Sequence, residues 1–162
     1  MLKWLWLTLL ALVLDQASKL SVAGSMQLYQ SIPVLPSFNI TYVHNTGAAF
    51  SFLSAEGGWQ RWFFAGLAMV MSTVLAVWLL KLEKHEKVMA AALSLILSGA
   101  IGNLIDRLLY GYVIDFFDFY YGSSHFAVFN VADAAISIGA FLMFLDSFGW
   151  LPQSLRKTDA SH

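Results

Sequence analysis

Apolar residues fall into four long segments with polar connections between them, at about 2–23, 62–80, 88–109 and 126–148. The segment 62–80 has no charged residue and is close to the roughly 20 residues that a helix needs to cross a bilayer. The other three segments each carry a few charged side chains. The pattern predicts an all-α integral membrane protein, built as a bundle of four transmembrane helices.

The connections between these segments differ in character. Residues 37–45 alternate apolar and polar side chains after Pro33 and Pro36, a pattern typical of a short strand after turns. We therefore expect a small extended platform over about 24–61 and a second outer loop over about 110–125. The whole chain, 1–162, is expected to form one membrane-embedded domain.

Composition supports a membrane protein and excludes several kinds of chemistry. Hydrophobic residues make up 59% of the chain and charged residues only 12%. Because the chain has no cysteine, a disulfide scaffold, a thiolate nucleophile and a cysteine metal site are excluded. The net charge is −1 without a long basic run, so nothing indicates nucleic acid as a partner.

The distribution of basic residues predicts the topology. Lys3, the 81–87 connection and the pair at 156–157 all fall on one side of the four segments, which the positive-inside rule makes cytoplasmic. Both termini are then cytoplasmic, and the platform lies on the outer side. The first segment also resembles a secretory signal peptide. Asp15 and Lys19 inside its apolar run favour a membrane span instead.

Polar side chains that a lipid-facing helix should lack gather toward the outer membrane boundary. They are Asp15, Lys19, Asn103, Asp106, Arg107, Asn130 and Asp133, with Asp115 just past the third segment. Ionisable groups inside a membrane are costly and mark functional sites. Asp15 and Lys19 are four residues apart on one helical face, so we expect them to form an ion pair.

The third segment carries two further signals. Small residues recur every fourth position at Ala90, Ser94, Ser98 and Gly102, which predicts close contact with a neighbouring helix. Arg107 is expected to pair with a carboxylate, either to brace two helix ends or to contact substrate.

Asp115 and Asp133 form the candidate catalytic pair. Apolar residues flank both, and two carboxyls that meet in such a place share a proton and can act as base and acid on a water molecule. The residues alone leave open a structural alternative, in which Asp133 caps a helix with Asn130 and Asp115 is solvated. Other site hypotheses are a Ser18–Lys19 dyad and a zinc site with His44 and His125. The adjacent Ser18 and Lys19 diverge on a helix, and the sequence contains no HExxH pair.

Five motifs resemble one known family. They are "DQASK" at 15–19, "NTGAAF" at 45–50, "GNLIDR" at 102–107, "VIDFFDF" at 113–119 and "FNVADAAI" at 129–136. In this order and on four spans, they resemble bacterial lipoprotein signal peptidase, the type II signal peptidase. The resemblance covers about residues 2–148.

The resemblance implies a cofactor-free aspartyl endopeptidase of the bacterial cytoplasmic membrane with its site near the outer face. Its catalytic aspartates would be Asp115 and Asp133. Site-shaping or substrate-binding roles would fall to Asp15, Lys19, Asn45, Gly47, Asn103, Asp106, Arg107 and Asn130. The substrate would be a diacylglyceryl-prolipoprotein, cut just before the lipidated cysteine, and globomycin-type peptides would inhibit. Membrane lipid is the other expected partner, and we expect a monomer.

The alternative from another class is a small proton-coupled membrane transporter. Such a protein would carry ions on intramembrane carboxylates, and these would be spread over several depths. The carboxylates of this chain instead crowd at one boundary.

Overall fold

The computed structural model describes residues 2–47 and 58–151. A short 3-10 turn, Leu2–Trp4, precedes the first helix. In chain order the described elements are α1 (Leu5–Ser25), β1 (Ser31–Leu35), β2 (Phe38–Asn45), α2 (Trp59–Lys81), α3 (Lys87–Leu109), β3 (Val113–Tyr121), β4 (Ser124–Phe129) and α4 (Val131–Ser147). Part of the predicted platform, at 48–57, and the basic pair at 156–157 lie outside the described residues.

Within the described residues, three helices are long and apolar enough to cross a membrane, which confirms three of the predicted apolar helices. They are Leu2–Ser25, Trp59–Lys81 and Lys87–Leu109. The fourth helix, α4, has 17 residues, fewer than the roughly 20 that span the hydrocarbon core. It begins at Val131 rather than at the predicted 126, because Ser124–Phe129 forms a strand.

Helix α3 lies at the centre of the bundle and packs against α1, α2 and α4. The predicted strip of small residues faces α1, since the Thr8 hydroxyl donates to the carbonyl oxygen of Ser94 at 3.1 Å. On α4, a Cβ added at Gly139 would lie 2.6 Å from the carbonyl oxygen of Ala92, which is closer than real Cβ atoms approach. The close contacts predicted for α3 are therefore confirmed.

An apolar core fills the end of the bundle at which α2 ends and α3 begins. Its buried members are Leu75, Leu79, Ala90, Leu93 and Leu97. Leu5 at the start of α1, Trp4 just before it and Met143 near the end of α4 pack against this core. Burial of apolar area at roughly 25 cal/mol per Å² stabilises this end, and its buried members include no charged group.

The opposite end carries a four-stranded antiparallel sheet in the order β1-β2-β3-β4. Tyr42, Ile114 and Phe116 form its buried cluster, against which Val22 of α1 and Val131 of α4 pack. The prediction of a small extended platform is thus confirmed as a sheet. The outer loop expected over about 110–125 contains most of the β3–β4 hairpin, which the sequence did not indicate.

The start of β3 explains the missed hairpin. Residues 113–116 are all buried, so this part of the strand lacks the alternation of buried and exposed positions by which a half-buried strand is recognised.

Candidate active site

The predicted polar residues converge where the sheet meets the helix bundle. Helix α1 supplies Asp15 and Lys19, and the last turns of α3 supply Asn103, Asp106 and Arg107. Strands β2 and β3 supply Asn45 and Asp115, while Asn130 and Asp133 start α4. Gly47 follows β2. The structure therefore brings all ten sequence-predicted residues to one end of the molecule.

Lys19 forms ion pairs with two carboxylates at the base of this region. Its Nζ lies 2.8 Å from Asp15 Oδ2, as the four-residue spacing predicts, and 3.0 Å from Asp106 Oδ2. All three residues are only 1% exposed. Because isolated buried charges are so costly, the three groups depend on one another; we call them the ionic brace.

The ionic brace also holds backbone groups of two other elements. The backbone N–H of Ala132, in the first turn of α4, donates to Asp15 Oδ1 at 2.8 Å. The backbone N–H of Ile114 in β3 donates to Asp106 Oδ2 at 3.1 Å. A negative charge suits a helix N-terminus, so the brace fixes the elements that carry Asp133 and Asp115.

Gln16 is a member of this region that the sequence did not indicate. Its Nε2 lies 3.1 Å from Asp15 Oδ2 and 3.0 Å from Asp106 Oδ1, so it bridges the two brace carboxylates. Since a glutamine next to an aspartate has no distinctive spacing, only the tertiary structure reveals this contact.

Two asparagines link the brace to the candidate pair. Asn103 Oδ1 accepts from Lys19 Nζ at 3.0 Å, while its Nδ2 donates to Asp133 Oδ1 at 2.8 Å. Asn130 Nδ2 donates to Asp115 Oδ1 at 2.7 Å and lies 3.3 Å from Asn103 Oδ1. The Lys19 contact orients the Asn103 amide so that its NH₂ group faces Asp133.

Asp115 is buried, and no Lys, Arg or His of residues 2–47 and 58–151 forms a salt bridge with it. Its Oδ2 accepts from Asn45 Nδ2 at 2.9 Å, in addition to the Asn130 bond, and the residue is 2% exposed. Burial and the negative charge of Asp133 together raise the pKa of Asp115 to about 7. The structural alternative of a solvated Asp115 is therefore wrong.

Asp133 is half-buried and belongs to a capping box at the start of α4. The Asn130 side chain accepts from the Asp133 backbone N–H at 2.9 Å, and the Asn130 backbone N–H donates to Asp133 Oδ2 at 3.3 Å. The capping role that the sequence left open is thus present. The capping bond uses Oδ2 of Asp133. The Asp133 side chain also borders the cavity described next.

Asp115 and Asp133 line one cavity of about 550 Å³. Asn45, Asn103 and Arg107 also border it, and apolar residues of β4 and α4 form the rest of its wall. The negative charge of Asp133 acts on Asp115, and two carboxyls that meet in such a cavity can share a proton and supply a base and an acid to a bound molecule.

Arg107 contacts carbonyl groups rather than the expected carboxylate. Its Nη1 and Nη2 donate to the carbonyl oxygens of Asn103, at 3.1 Å, and Gly47, at 3.0 Å. The guanidinium also lies 5.5 Å from the centre of the Phe64 ring. The buried Gly47 in turn donates its N–H to Asn45 Oδ1 at 3.0 Å. Arg107 thus fixes the segment that holds Asn45 at the cavity.

The two histidines considered for a zinc site have other partners. His44 stacks on Tyr112 with 3.6 Å between ring centres, and His125 Nδ1 lies 2.8 Å from Asp118 Oδ1. Among residues 2–47 and 58–151, no three His, Cys, Asp or Glu side chains are grouped to hold a metal ion. Asp118, the partner of His125, is 2% exposed within the sheet.

A family model matches most of the chain. The model described as signal peptidase (SPase) II covers residues 7–149. The chain is 59% identical over 147 residues to the lipoprotein signal peptidase of Pseudoalteromonas translucida (strain TAC 125), covering 91% of this chain and 89% of that protein. It is 52% identical to that of Photorhabdus laumondii, covering 91% of this chain and 88% of the relative.

Solved structures share the fold. One, described as a bacterial membrane enzyme solved by the in meso method at 2.3 Å resolution, matches with a TM-score of 0.82 and 30% identity. The match covers 100% of this chain and 96% of the other. A second bacterial membrane enzyme, at 1.9 Å, matches with a TM-score of 0.79 and 31% identity over 91% of this chain and 93% of the other. The chain therefore belongs to the signal peptidase II family.

Proposed function

We propose that the chain is an aspartyl endopeptidase that removes signal peptides from diacylglyceryl-modified prolipoproteins by cutting just before the lipidated cysteine. Asp115 and Asp133 are its catalytic residues in this proposal. The observation that carries it is that these two carboxylates border one cavity and receive amide donors, while the Lys19 ammonium is committed to Asp15 and Asp106. Family membership supports the peptidase activity.

The reaction uses the singly protonated pair. The ionised carboxylate takes a proton from water as the water oxygen attacks the scissile carbonyl carbon, and the protonated carboxyl hydrogen-bonds and then protonates the carbonyl oxygen. The tetrahedral diol then collapses: one hydroxyl gives its proton to the ionised carboxylate, the C–N bond breaks, and the leaving nitrogen receives the proton of the other carboxyl. The pair is again singly protonated. The raised pKa of Asp115, to about 7, keeps a proton available near neutral pH.

The neighbouring residues keep the pair in position. Asn45 and Asn130 hold the two oxygens of Asp115, and Asn103 holds one oxygen of Asp133. Amide donors orient a carboxylate without supplying a full positive charge, so a shared proton is retained. Two other sets of contacts position these residues without touching the reacting atoms. They are the ionic brace and the hydrogen bond from Arg107 to Gly47.

The location fits a lipidated substrate. The chain is a multi-pass protein with apolar membrane-spanning helices, and its family supports the inner membrane. We infer that both termini are cytoplasmic, which puts the cavity near the outer face, where the substrate's cleavage point would lie. Its acyl chains would lie against apolar helix faces, in contact with membrane lipid. The chain would act as a monomer without a metal ion and bind globomycin-type peptides at the same pair.

The proton-coupled transporter receives less support. Transport sites use carboxylates along a path through the membrane, whereas the polar cluster here lies at one end of the bundle. The family match also favours a peptidase.

The decisive experiment is cleavage of a purified diacylglyceryl-prolipoprotein in detergent or lipid. We expect Asp115→Asn and Asp133→Asn each to reduce cleavage by roughly 10³-fold or more, because neither variant can complete the base and acid pair. A chelator should leave wild-type cleavage unchanged, and globomycin should inhibit it.

Asp146→Asn is the matched control, since Asp146 lies on the same helix as Asp133 but at its other end. It should cleave like wild type. Full cleavage by either candidate variant would contradict the assignment of the pair, while a folded wild type inactive on the lipidated substrate would contradict the activity itself.

A further inference from the structure

A second cavity adjoins Asp115 on the side of the sheet. It measures about 360 Å³ and is bordered by Val43 and Asn45 of β2, Asp115 of β3 and residues 125–128 of β4. The first cavity extends along α4 past Ile136 and Ile138, whereas no residue of α4 borders the second. The two cavities share Asn45, Asp115 and residues 126–128, so they adjoin at Asp115, the first continuing along α4 and the second lying among the strands.

His125 forms part of the wall of this second cavity and is held by a buried carboxylate. Its Nδ1 lies 2.8 Å from Asp118 Oδ1, and its ring stacks on Tyr120 with 5.4 Å between centres. Its side chain is 53% exposed, whereas that of Asp118 is 2% exposed. The imidazole is thus accessible to a ligand and fixed in orientation.

The anchor of His125 runs across all four strands. The Thr41 hydroxyl of β2 donates to Asp118 Oδ2 at 2.8 Å, and the Ser31 hydroxyl of β1 lies 2.8 Å from that of Thr41. Burial acts to raise the pKa of Asp118, but the hydrogen bonds from His125 and Thr41 outweigh it and lower that pKa. Asp118 is therefore an acceptor at neutral pH, so Nδ1 of His125 carries the hydrogen.

A neutral imidazole with its hydrogen on Nδ1 presents Nε2 as an acceptor. The polypeptide chain supplies a matching donor, the main-chain N–H, at every residue except proline. The second cavity, which lies beside Asp115, would therefore suit an extended polar segment of the substrate. In a prolipoprotein that segment is the mature part after the lipidated cysteine, since the signal peptide is apolar.

We propose that His125 binds substrate, its Nε2 accepting a hydrogen bond from the main chain of the mature segment, and that Asp118 is the positioning residue that orients the imidazole. This inference rests on the proposed function and adds a specificity site to it. The apolar signal peptide would then occupy the α4 side of Asp115 and the mature segment the strand side.

The test compares two lipidated substrates with the same signal peptide. One ends at the cysteine as its carboxamide, and the other continues for several residues of the mature segment. We expect His125→Asn to lower kcat/KM about three- to tenfold on the long substrate, mainly through KM, as expected for one lost hydrogen bond. On the short substrate it should change kcat/KM by less than about twofold, because the contact is absent there.

The variant His125→Asn is chosen because it preserves the sheet. Its Nδ2 can still donate to Asp118, so the hydrogen bonds across the sheet remain, but nothing replaces Nε2. Asp118→Asn should show the same dependence on substrate length, because it weakens the hydrogen bond that orients the His125 ring. His85→Asn is the matched control, since His85 is equally exposed and lies in the connection between α2 and α3.

The outcomes separate this inference from the proposed function. If wild type cuts both substrates and Asp115→Asn cuts neither, but His125→Asn affects the two substrates equally or not at all, the role of His125 is overturned and the activity stands. If wild type cuts neither substrate, both are overturned. A loss confined to the long substrate supports the mature-segment site.

Discussion

Two pairs of carboxylates lie at the same end of the molecule and are stabilised in different ways. Asp15 and Asp106 share the buried ammonium of Lys19. Asp115 and Asp133 receive amide and backbone donors and border a cavity. The first pair shares one cation within the protein, whereas the carboxyl groups of the second pair face a cavity that a ligand can enter.

The difference shows that burial alone does not identify a catalytic carboxylate. Asp15, Asp106 and Asp115 are each no more than 2% exposed. What separates them is the partner, since a cation holds a carboxylate ionised while neutral donors permit a shared proton. We infer that the brace serves stability and the cavity pair serves chemistry, and the following predictions test that division.

The largest effect on stability is expected from Lys19→Met. The substitution leaves two carboxylates buried without a cation, which costs about 3–5 kcal/mol in comparable sites. At about 2–4 °C per kcal/mol, the melting temperature in detergent should fall by about 10 °C. Lys84→Met, at an exposed position, is the control and should melt like wild type. An unchanged melting temperature for Lys19→Met would show that the brace does not stabilise the fold.

The ionic brace shows which contacts of the site can be predicted from the sequence and which cannot. Asp15 and Lys19 are four residues apart on one helix, so their pairing follows from helical geometry. Asp106 joins them from α3 only because α1 and α3 pack side by side, and no local spacing encodes that contact. The location of the site was thus predictable from where costly residues occur, but its division into two pairs was not.

The sequence did not indicate strand β3, because its first part is a continuous buried run rather than an alternating pattern. Val113, Ile114 and Phe116 surround Asp115 and are buried, so they give no alternation to mark a strand. The hairpin, and with it the buried contact between Asp118 and His125, depends on pairing between segments. The helices α2 and α3 were predictable because their apolar runs are long enough to define them.

Next in size is Gly102→Ala, which tests the packing of the brace. An added Cβ would lie 2.5 Å from Asp15 Oδ2, and that oxygen is held by Lys19 and cannot move freely. We expect a loss of about 1–3 kcal/mol, measured by thermal unfolding. Gly66→Ala is the control, since nothing lies within 4 Å of its added Cβ and alanine favours the helix. Equal stability of the two variants would contradict the tight packing at Gly102.

Asn103→Ala tests the connection between the two pairs. The variant loses the donor to Asp133 Oδ1 and the acceptor for Lys19 Nζ. We expect kcat to fall about 10- to 100-fold with KM little changed, as when a group that orients a reacting residue is removed. Thermal unfolding of the same variant separates this effect from instability. Unchanged kcat would mean that Asp133 does not need Asn103 for its position.

The smallest effect is a pH dependence of stability that arises from Asp115. The pKa of Asp115 is about 7 in the folded protein against an ordinary 3.8, so the folded state holds the proton more tightly. Wild-type stability should then fall as pH rises from about 4 to about 7, because the unfolded state ionises first. Asp115→Asn cannot ionise, so relative to wild type it should gain roughly 1–2 kcal/mol between pH 6 and pH 8. A gap between Asp115→Asn and wild type that does not widen toward pH 8 would show that burial leaves Asp115 ionised, and the shared proton would then have to reside on Asp133.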